Sequence, residues 1–473
     1  MHTLDAPPPA TKTPANPDRL GYRELLGYGV GGLPYNLGVD AIKNLANPVY
    51  NLLLGLNPVW IGVVMMTARI WDAATDPIMG SVSDNCRSRR GRRRPFIFIG
   101  AILCAVSFPL IWMVPRGWGE NATLVYFLAT SLFFYTSFTV FCVPYMTLGM
   151  ELSPDYRERT RVSAARMLFA GLSGLLIAWV FRVAHSDFFA DPMTGIRVVG
   201  LGIGAVFLLT GIPPALWSRE RYQKLGQAQP KQSLKASFAA TLGKGPFRRL
   251  MGITVLVVLG YNTFNAMGIY VNTYYVCGGD LKAAATLQGI SGSVFVVALF
   301  TAVPLVTWIA NRWGKVNALH VCLASGMAGS ALKWILFTPA HPYWQMAVPF
   351  FIAPCTAGFW VIVTSMKADA CDFDELKNGL RREGAFAAIS SWLQKFSAAL
   401  TFSLTGLILV VIGFDQSRGA AQAAGTVFAL RAVFSGAPIL FFFVCMLLAR
   451  SLPFTPARMA EVRRELERRR LPA

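Results

Sequence analysis

Within one apolar stretch the chain reads Ala68-Arg69-Ile-Trp71-Asp72-Ala-Ala-Thr75-Asp76-Pro77. Carboxylates four residues apart share one face of a helix, and Arg69, three residues before the first, lies on that face too. Such a pair can converge on one hard cation through its oxygens, or share a proton because two close negative charges disfavour double ionisation. Either arrangement is a site whose charge changes with its occupancy. The competing arrangement is an internal salt bridge of Arg69 with Asp72, leaving Asp76 to bond the adjoining loop. Nothing else in the chain offers a rival chemistry. The four histidines show no HExxH-like spacing, and Cys86, Cys104, Cys142, Cys277, Cys322, Cys355, Cys371 and Cys445 are scattered with no CxxC pair. Neither a zinc site, a disulfide framework nor a nucleophile-base pair is indicated, so the sequence predicts no enzyme and no cofactor beyond a bound ion.

The elements that must position these acids follow from composition. Of 473 residues 54% are hydrophobic and 14% charged, and the mean hydropathy is +0.47, too apolar for the surface of a soluble globule. Apolar stretches recur near 26–54, 58–83, 95–115, 121–151, 161–186, 195–218, 250–276, 285–310, 316–337, 343–369, 379–412 and 427–450, each long enough to cross a hydrocarbon core of ~30 Å as a helix. The fold class expected is an all-α polytopic membrane protein of about twelve spans. A net charge of +20 does not imply nucleic acid, because the basic residues sit in alternate loops, such as Arg87 to Arg94, Arg157 to Arg161, Lys224 to Arg249 and the tail from Arg463 to Arg470. By the positive-inside rule both termini are cytoplasmic, in a cell (inner) membrane, and the lipid bilayer is the large partner.

Residues 1–20, with five prolines, read as a disordered cytoplasmic tail; 21–218 form a first six-helix half, 219–247 a basic linker, 248–452 a second half and 453–473 a basic tail. A faint repeat supports two halves: Met146 to Arg157 after span four has a counterpart in Met366 to Glu375 after span ten, and Asn311-Arg312-Trp313-Gly314-Lys315 echoes the Arg-Gly-Arg turn. Related halves around a midplane cavity are a common transporter architecture. Asn36, Asp40 and Lys43, Thr139, Arg166 and Lys395 are further polar residues inside spans and together suggest a charged cavity. An Asp at the bilayer centre costs about 2.5–3.5 kcal/mol even on the lenient scale, so such residues need partners or a purpose. After span two, Asp84, Arg87, Arg90 and Gly91 are candidates for a latch at the interface, or simply topogenic charge.

The string Arg69-Ile-Trp-Asp72-Ala-Ala-Thr-Asp76-Pro77-Ile-Met-Gly80, with its Arg-rich turn, resembles the melibiose permease-like glycoside-pentoside-hexuronide:cation symporter family of the major facilitator superfamily, over about Gly27 to Phe414. The resemblance implies a major facilitator fold and a Na⁺, Li⁺ or H⁺ site between helices two and four, at Asp72, Asp76 and Thr139. The acid expected three positions later is Cys142, which gives a hard cation one fewer anionic oxygen and makes proton coupling relatively more favoured. For a solute, the resemblance implies Arg166, Trp360 and Lys395, with Asp369 nine residues after Trp360; the acid of helix one falls on Asn36, with Asp40 one turn on, and Arg69 joins this polar set. Asp369 is placed with the gating residues.

The function so expected is symport of a sugar-like solute, such as a glycoside, a uronide or another anionic sugar derivative, with H⁺ or Na⁺, by alternating access; in the Na⁺ case Asp72 and Asp76 are the metal ligands. Two rivals stand beside it. A lysolipid transporter of the same fold would use an apolar trough, for which Phe133, Phe134, Phe138 and Phe141 are candidates; a non-transporting scaffold or sensor would use the basic loops and tail.

Overall fold

The computed structural model describes residues 20–88, 90–152, 156–220, 245–378, 383–415, 418–419 and 421–470. The tail 1–19 and the bulk of the expected linker, 221–244, lie outside them, as do Arg381 and Arg382.

Twelve long helical segments follow in order: α1 (22–53), α2 (Pro58–Asn85), α3 (Arg94–Trp112), α4 (Glu120–Glu151), α5 (Tyr156–Ala184), α6 (Pro192–Trp217), α7 (Gly245–Val276), α8 (Leu281–Trp313), α9 (Lys315–Leu336), α10 (342–378), α11 (Glu383–Val411) and α12 (Ala424–Ala449). Prolines and acceptors set the starts. Pro58 occupies the first turn of α2 while Asn57 caps it by accepting from Val59 N at 2.9 Å, and Asp191 caps α6 by accepting from Thr194 N at 2.7 Å. Ten of the segments are long and apolar enough to cross a membrane by composition alone; α1 and α2 are not among them. The reason is chemical, because these two hold Asn36, Asp40, Lys43, Arg69, Asp72 and Asp76.

Equivalent contacts recur six helices apart. In the first half α3 packs on α6 and α1 on α5 and α6; in the second, α9 packs on α12 and α7 on α11 and α12. Across the halves, α2 packs along α11 and α5 along α8, which are the same pair under that shift. The turns repeat as well. Gly91, between α2 and α3, and Gly314, between α8 and α9, both take the left-handed conformation, with φ of +106° and +87°.

Three helices are irregular: α1 ends in a wide π-helical segment at Asn47–Leu53, α7 in another at Asn272–Val276, and α10 carries one at Pro354–Gly358. The segments of α7 and α10 line the central cavity, through Asn272 and through Thr356 and Ala357, where loosened backbone is tolerated. The glycines of α1 serve close packing: a Cβ on Gly32 would stand 2.3 Å from the Arg166 carbonyl oxygen, and one on Gly38 would stand 2.1 Å from the Phe138 ring.

Residues 453–473, expected as a tail, contain a further helix, α13 (Pro456–Arg470), packed on α10. Met459, Val462 and Leu466 are buried at helical spacing, which explains why so polar a segment is ordered.

Toward the end of the bundle remote from the termini, the halves are joined by Tyr270 Oη donating to Asn51 Oδ1 (2.8 Å), Lys43 Nζ to Asn262 Oδ1 (2.7 Å), Trp179 Nε1 to Ser293 Oγ (2.8 Å) and the ion pair Lys282–Asp187 (2.6 Å). Small residues allow the approach. A Cβ on Gly406 of α11 would stand 2.2 Å from the Pro58 oxygen of α2, and one on Gly292 of α8 would stand 2.4 Å from Ala178 Cβ of α5. Valine at 406 or 292 overpacks the seam by about 1–3 kcal/mol. Spin labels on loops 54–57 and 277–280 are expected to move apart in either variant, and an unchanged distance distribution would refute this account of the closed end.

Candidate functional site

The site is built on the second helix. Arg69, Asp72 and Asp76 project from one side of α2, as their spacing requires, toward α4 and α11. Arg69 Nη1 lies 3.4 Å from Asp72 Oδ2, its Nη2 donates to the Val39 carbonyl of α1 at 2.5 Å, and its guanidinium sits 4.8 Å from the centre of the Tyr135 ring. These contacts fasten α2 to α1 and α4. Thr139 of α4 donates to Asp72 Oδ1 (3.2 Å) or Asp76 Oδ1 (3.4 Å), with Thr75 Oγ1 3.2 Å away. Cys142, one turn below Thr139, is buried.

The contact that joins the halves here is made by Lys395 of α11. Its ammonium lies 3.2 Å from Asp72 Oδ2 and makes a closer ion pair with Asp76 Oδ2. The internal Arg69–Asp72 bridge considered from sequence is therefore present, but Asp76 does not turn to the loop; it meets a cation from the other half of the protein. Lys395, grouped with the solute residues, sits among the expected ion ligands. Asp72 is 1% exposed, whereas the side chains of Asp76 and Lys395 are each 25% exposed. Solvent thus reaches the outer carboxylate and not the inner one. The four charges balance, with two acids against Arg69 and Lys395.

Between the halves lies a cavity of about 530 Å³, lined by α1, α5 and α7 to α10 with α12. Of the residues expected from sequence to meet a solute, Asn36, Asp40 and Trp360 line it. Asn36 Nδ2 donates to the Gly32 carbonyl at 3.1 Å, and Asp40 lies 3.7 Å from Lys43. Arg166 does not line this cavity; it donates to the thioether of Met146 at 3.2 Å and lies 5.7 Å from the Tyr35 ring centre. The Asp72–Asp76–Lys395 cluster is likewise beside the cavity, with Arg69 and Val39 of α1 bridging from it toward the wall that carries Asp40.

Among the gating candidates, Arg87 and Arg90 are exposed, and the Asp84 side chain lies outside the described residues. Gly91 makes the tight turn, where a Cβ would stand 2.6 Å from Glu220. The interface contacts come from the next three arginines. Backbone N–H groups of Arg92, Arg93 and Arg94 donate to the Glu220 carboxylate at 2.7, 2.7 and 3.0 Å, and the Arg92 and Arg93 guanidiniums pair with Glu151 at 2.5 and 3.2 Å. Asp369 of α10 pairs with Lys315 of α9 at 2.5 Å, the equivalent contact in the other half. Glu151 and Glu220 were not assigned from sequence; the signal available was a lone acid at the end of an apolar span facing an arginine run. Lys43 and Lys333, two lysines inside spans, also reach the cavity.

Relatives carry the same architecture. An isoprimeverose transporter of Lactiplantibacillus pentosus is 24% identical over 93% of this chain and 91% of its own. The sodium-dependent lysophosphatidylcholine symporter 1 of Mus musculus is 23% identical over 99% of this chain and 92% of its own. The crystal structure of a D-xylose-proton symporter superposes with a TM-score of 0.60 at 15% identity, over 92% of this chain and 98% of that one, which speaks for the major facilitator fold. The family model described as MFS/sugar transport protein matches residues 27–455. With two six-helix halves around a central cavity and that match across nearly its whole length, the chain belongs to the MFS/sugar transport family, and it is a multi-pass membrane transporter and not an enzyme.

Proposed function

We propose that the protein is a secondary active transporter that couples H⁺ or Na⁺ movement to transport of a sugar-like solute by alternating access. The observation that carries this reading is the Lys395 contact to Asp72 and Asp76. It ties α11 of one half to α2 of the other, so the occupancy of two acids is coupled to how the halves sit. Relatives named as an isoprimeverose transporter and a putative glycoside/cation symporter support the solute class.

The charge count shapes the coupling step. A proton on Asp76 cancels one negative charge, and Lys395 loses its closer partner. A Na⁺ ion at the same oxygens must instead displace the ammonium, because two acids already face two cations. Both routes loosen the α2–α11 clamp, and the proton route does so with no further ligand. Cys142 fits that economy, since a neutral thiol adds no anionic oxygen for Na⁺. Ion and solute then favour the same rearranged state, and each raises the other's affinity by one factor.

The cytoplasmic placement of both termini belongs to this proposal and rests on the basic loops on their side. With that placement, the joined end of the bundle faces outward, and solvent reaches Asp76 and Lys395 from within the cell. The lysolipid reading is kept alive by the lysophosphatidylcholine symporter among the relatives, but not by the phenylalanines of α4: Phe134, Phe138 and Phe141 pack inside the bundle and only Phe133 of the four is exposed.

Replacing Asp76 by Asn fixes the site in its neutral form. Gradient-driven accumulation in proteoliposomes should fall by about 5- to 150-fold, the span of ordinary coupling energies, while solute exchange persists in part. Undiminished accumulation would contradict the assignment. Imposing a pH gradient or a Na⁺ gradient separately on the same vesicles identifies the coupling ion, and competition by lysophosphatidylcholine without any by sugars would favour the amphiphile. Lys395→Met strands Asp76 beside Asp72. It should lower thermal stability by about 1–3 kcal/mol, less than a fully buried pair because water reaches both groups. Combining it with Asp76→Asn should restore more than half of that loss; no restoration would mean that the pair is not the contact responsible.

A further inference from the structure

The wall of the central cavity holds a cation that the proposed coupling step does not use. Lys333 lies in the last turn of α9 and is 6% exposed, yet it lines the cavity with Trp360. Its ammonium is 4.2 Å from the centre of the Phe434 ring. Among the described residues it has no hydrogen-bond or ion-pair partner. The other cation of the cavity wall and the two of the ion cluster differ in this respect: Lys43 has Asn262 and Asp40, Arg69 has Asp72 and Val39, and Lys395 has two acids.

A ring face attracts an ammonium but supplies no counter-charge, and a desolvated ammonium without an acid is costly. The charged residues of the cavity wall are Asp40, Lys43 and Lys333, so the wall carries an excess of one positive charge. On the same wall Gln345 and Asn272, each 1% exposed, have buried Oε1 and Oδ1 atoms with no hydrogen-bond partner among the described residues. Trp360, 36% exposed, offers an apolar face of the kind that stacks on a pyranose ring.

We propose that Lys333 is an anion-recognising residue of the solute cavity, which takes the ionised acid group, a carboxylate or sulfonate, of a sugar derivative. This rests on the symport reading of the same cavity and adds to it a subsite in the second half, on a helix that the family motifs do not reach. The specificity follows from charge. A neutral sugar leaves the ammonium without a counter-ion, whereas an acidic one supplies it in a partly dry site, where a charge-assisted hydrogen bond is about twice as strong as a neutral one.

The test uses matched pairs on the purified full-length protein: D-glucuronate against D-glucose, and methyl β-D-glucuronide against methyl β-D-glucoside, by calorimetry at low and high salt. The acid of each pair should bind about tenfold more tightly or better, as expected for one charge-assisted contact, and the advantage should shrink with salt. K333Q should bring the acid-to-neutral ratio close to one, and K333R, which keeps the charge, should retain most of it; the thermal transition of each variant reports that it is folded. Equal binding of acid and neutral sugars by the unaltered protein overturns the role of Lys333 and leaves the symport reading standing. An acid preference that survives in K333Q does the same. Binding of neither member of either pair, with tight binding of lysophosphatidylcholine, overturns both.

Discussion

The structure depends on a cation from one half of the protein satisfying two acids of the other. In a bilayer an uncompensated charge is expensive, and Asp72 is almost wholly buried. Arg69 neutralises it locally and Lys395 answers for the remaining charge on Asp76, from across the seam. The two halves are therefore held together by an interaction that, in the proposed coupling, a proton or a small cation removes. A purely apolar seam between α2 and α11 would pack as well but would respond to no ion.

That interaction constrains its surroundings. The helix bearing the acids has to be fixed in rotation, and Arg69 does this by reaching the Val39 carbonyl of α1 and the Tyr135 ring of α4. Because the same guanidinium touches both the acid and the helix that carries Asn36 and Asp40, a change at the ion pair has a short physical route to the cavity wall. The route runs through a backbone carbonyl and a salt bridge and not through loose side chains. Closer to the termini, the arginine turn after α2 is bound to Glu220 and Glu151 within its own half. Those contacts brace the first half, as Lys315–Asp369 does the second, and rocking of one half against the other needs each to hold together.

Much of this was legible in the sequence because bilayer physics writes in long runs. The twelve apolar stretches reappear as twelve long helical segments among the described residues, ten of them apolar enough to cross a bilayer, and the Arg69-Asp72-Asp76 spacing reappears as one helix face. Contacts between distant helices were legible only in part. Lys395 stood out as a charge within a span, but nothing in the spacing says that α11 meets α2, so its partners were out of reach. Glu220 is a single acid in a basic stretch, and its role appears only when three successive N–H groups of the Gly91 turn converge on it. The helix at 456–470 was read as a tail because its charge hides three apolar residues at helical spacing, and three are too few to stand above a polar background.

The six-helix shift relating the halves makes α2–α11 and α5–α8 equivalent seams, yet their chemistry differs. At the first, beside the close approach of Gly406 to Pro58, an ion pair faces partial solvent; at the second, Gly289 and Gly292 of α8 close on Trp179 and Ala178 of α5, with one hydrogen bond from Trp179 to Ser293 and the exposed Lys282–Asp187 pair at the outer tip. Within the membrane the second seam holds mainly by packing of small residues, and its one ion pair is exposed at the tip, where screening makes it weak. A charged seam is strong while paired and weak once neutralised. Two such seams flanking one cavity let a coupling ion act on one side while the other remains in van der Waals contact. In the proposed coupling, the asymmetry between them, more than the symmetry of the fold, turns a change of charge at Asp76 into a change of shape.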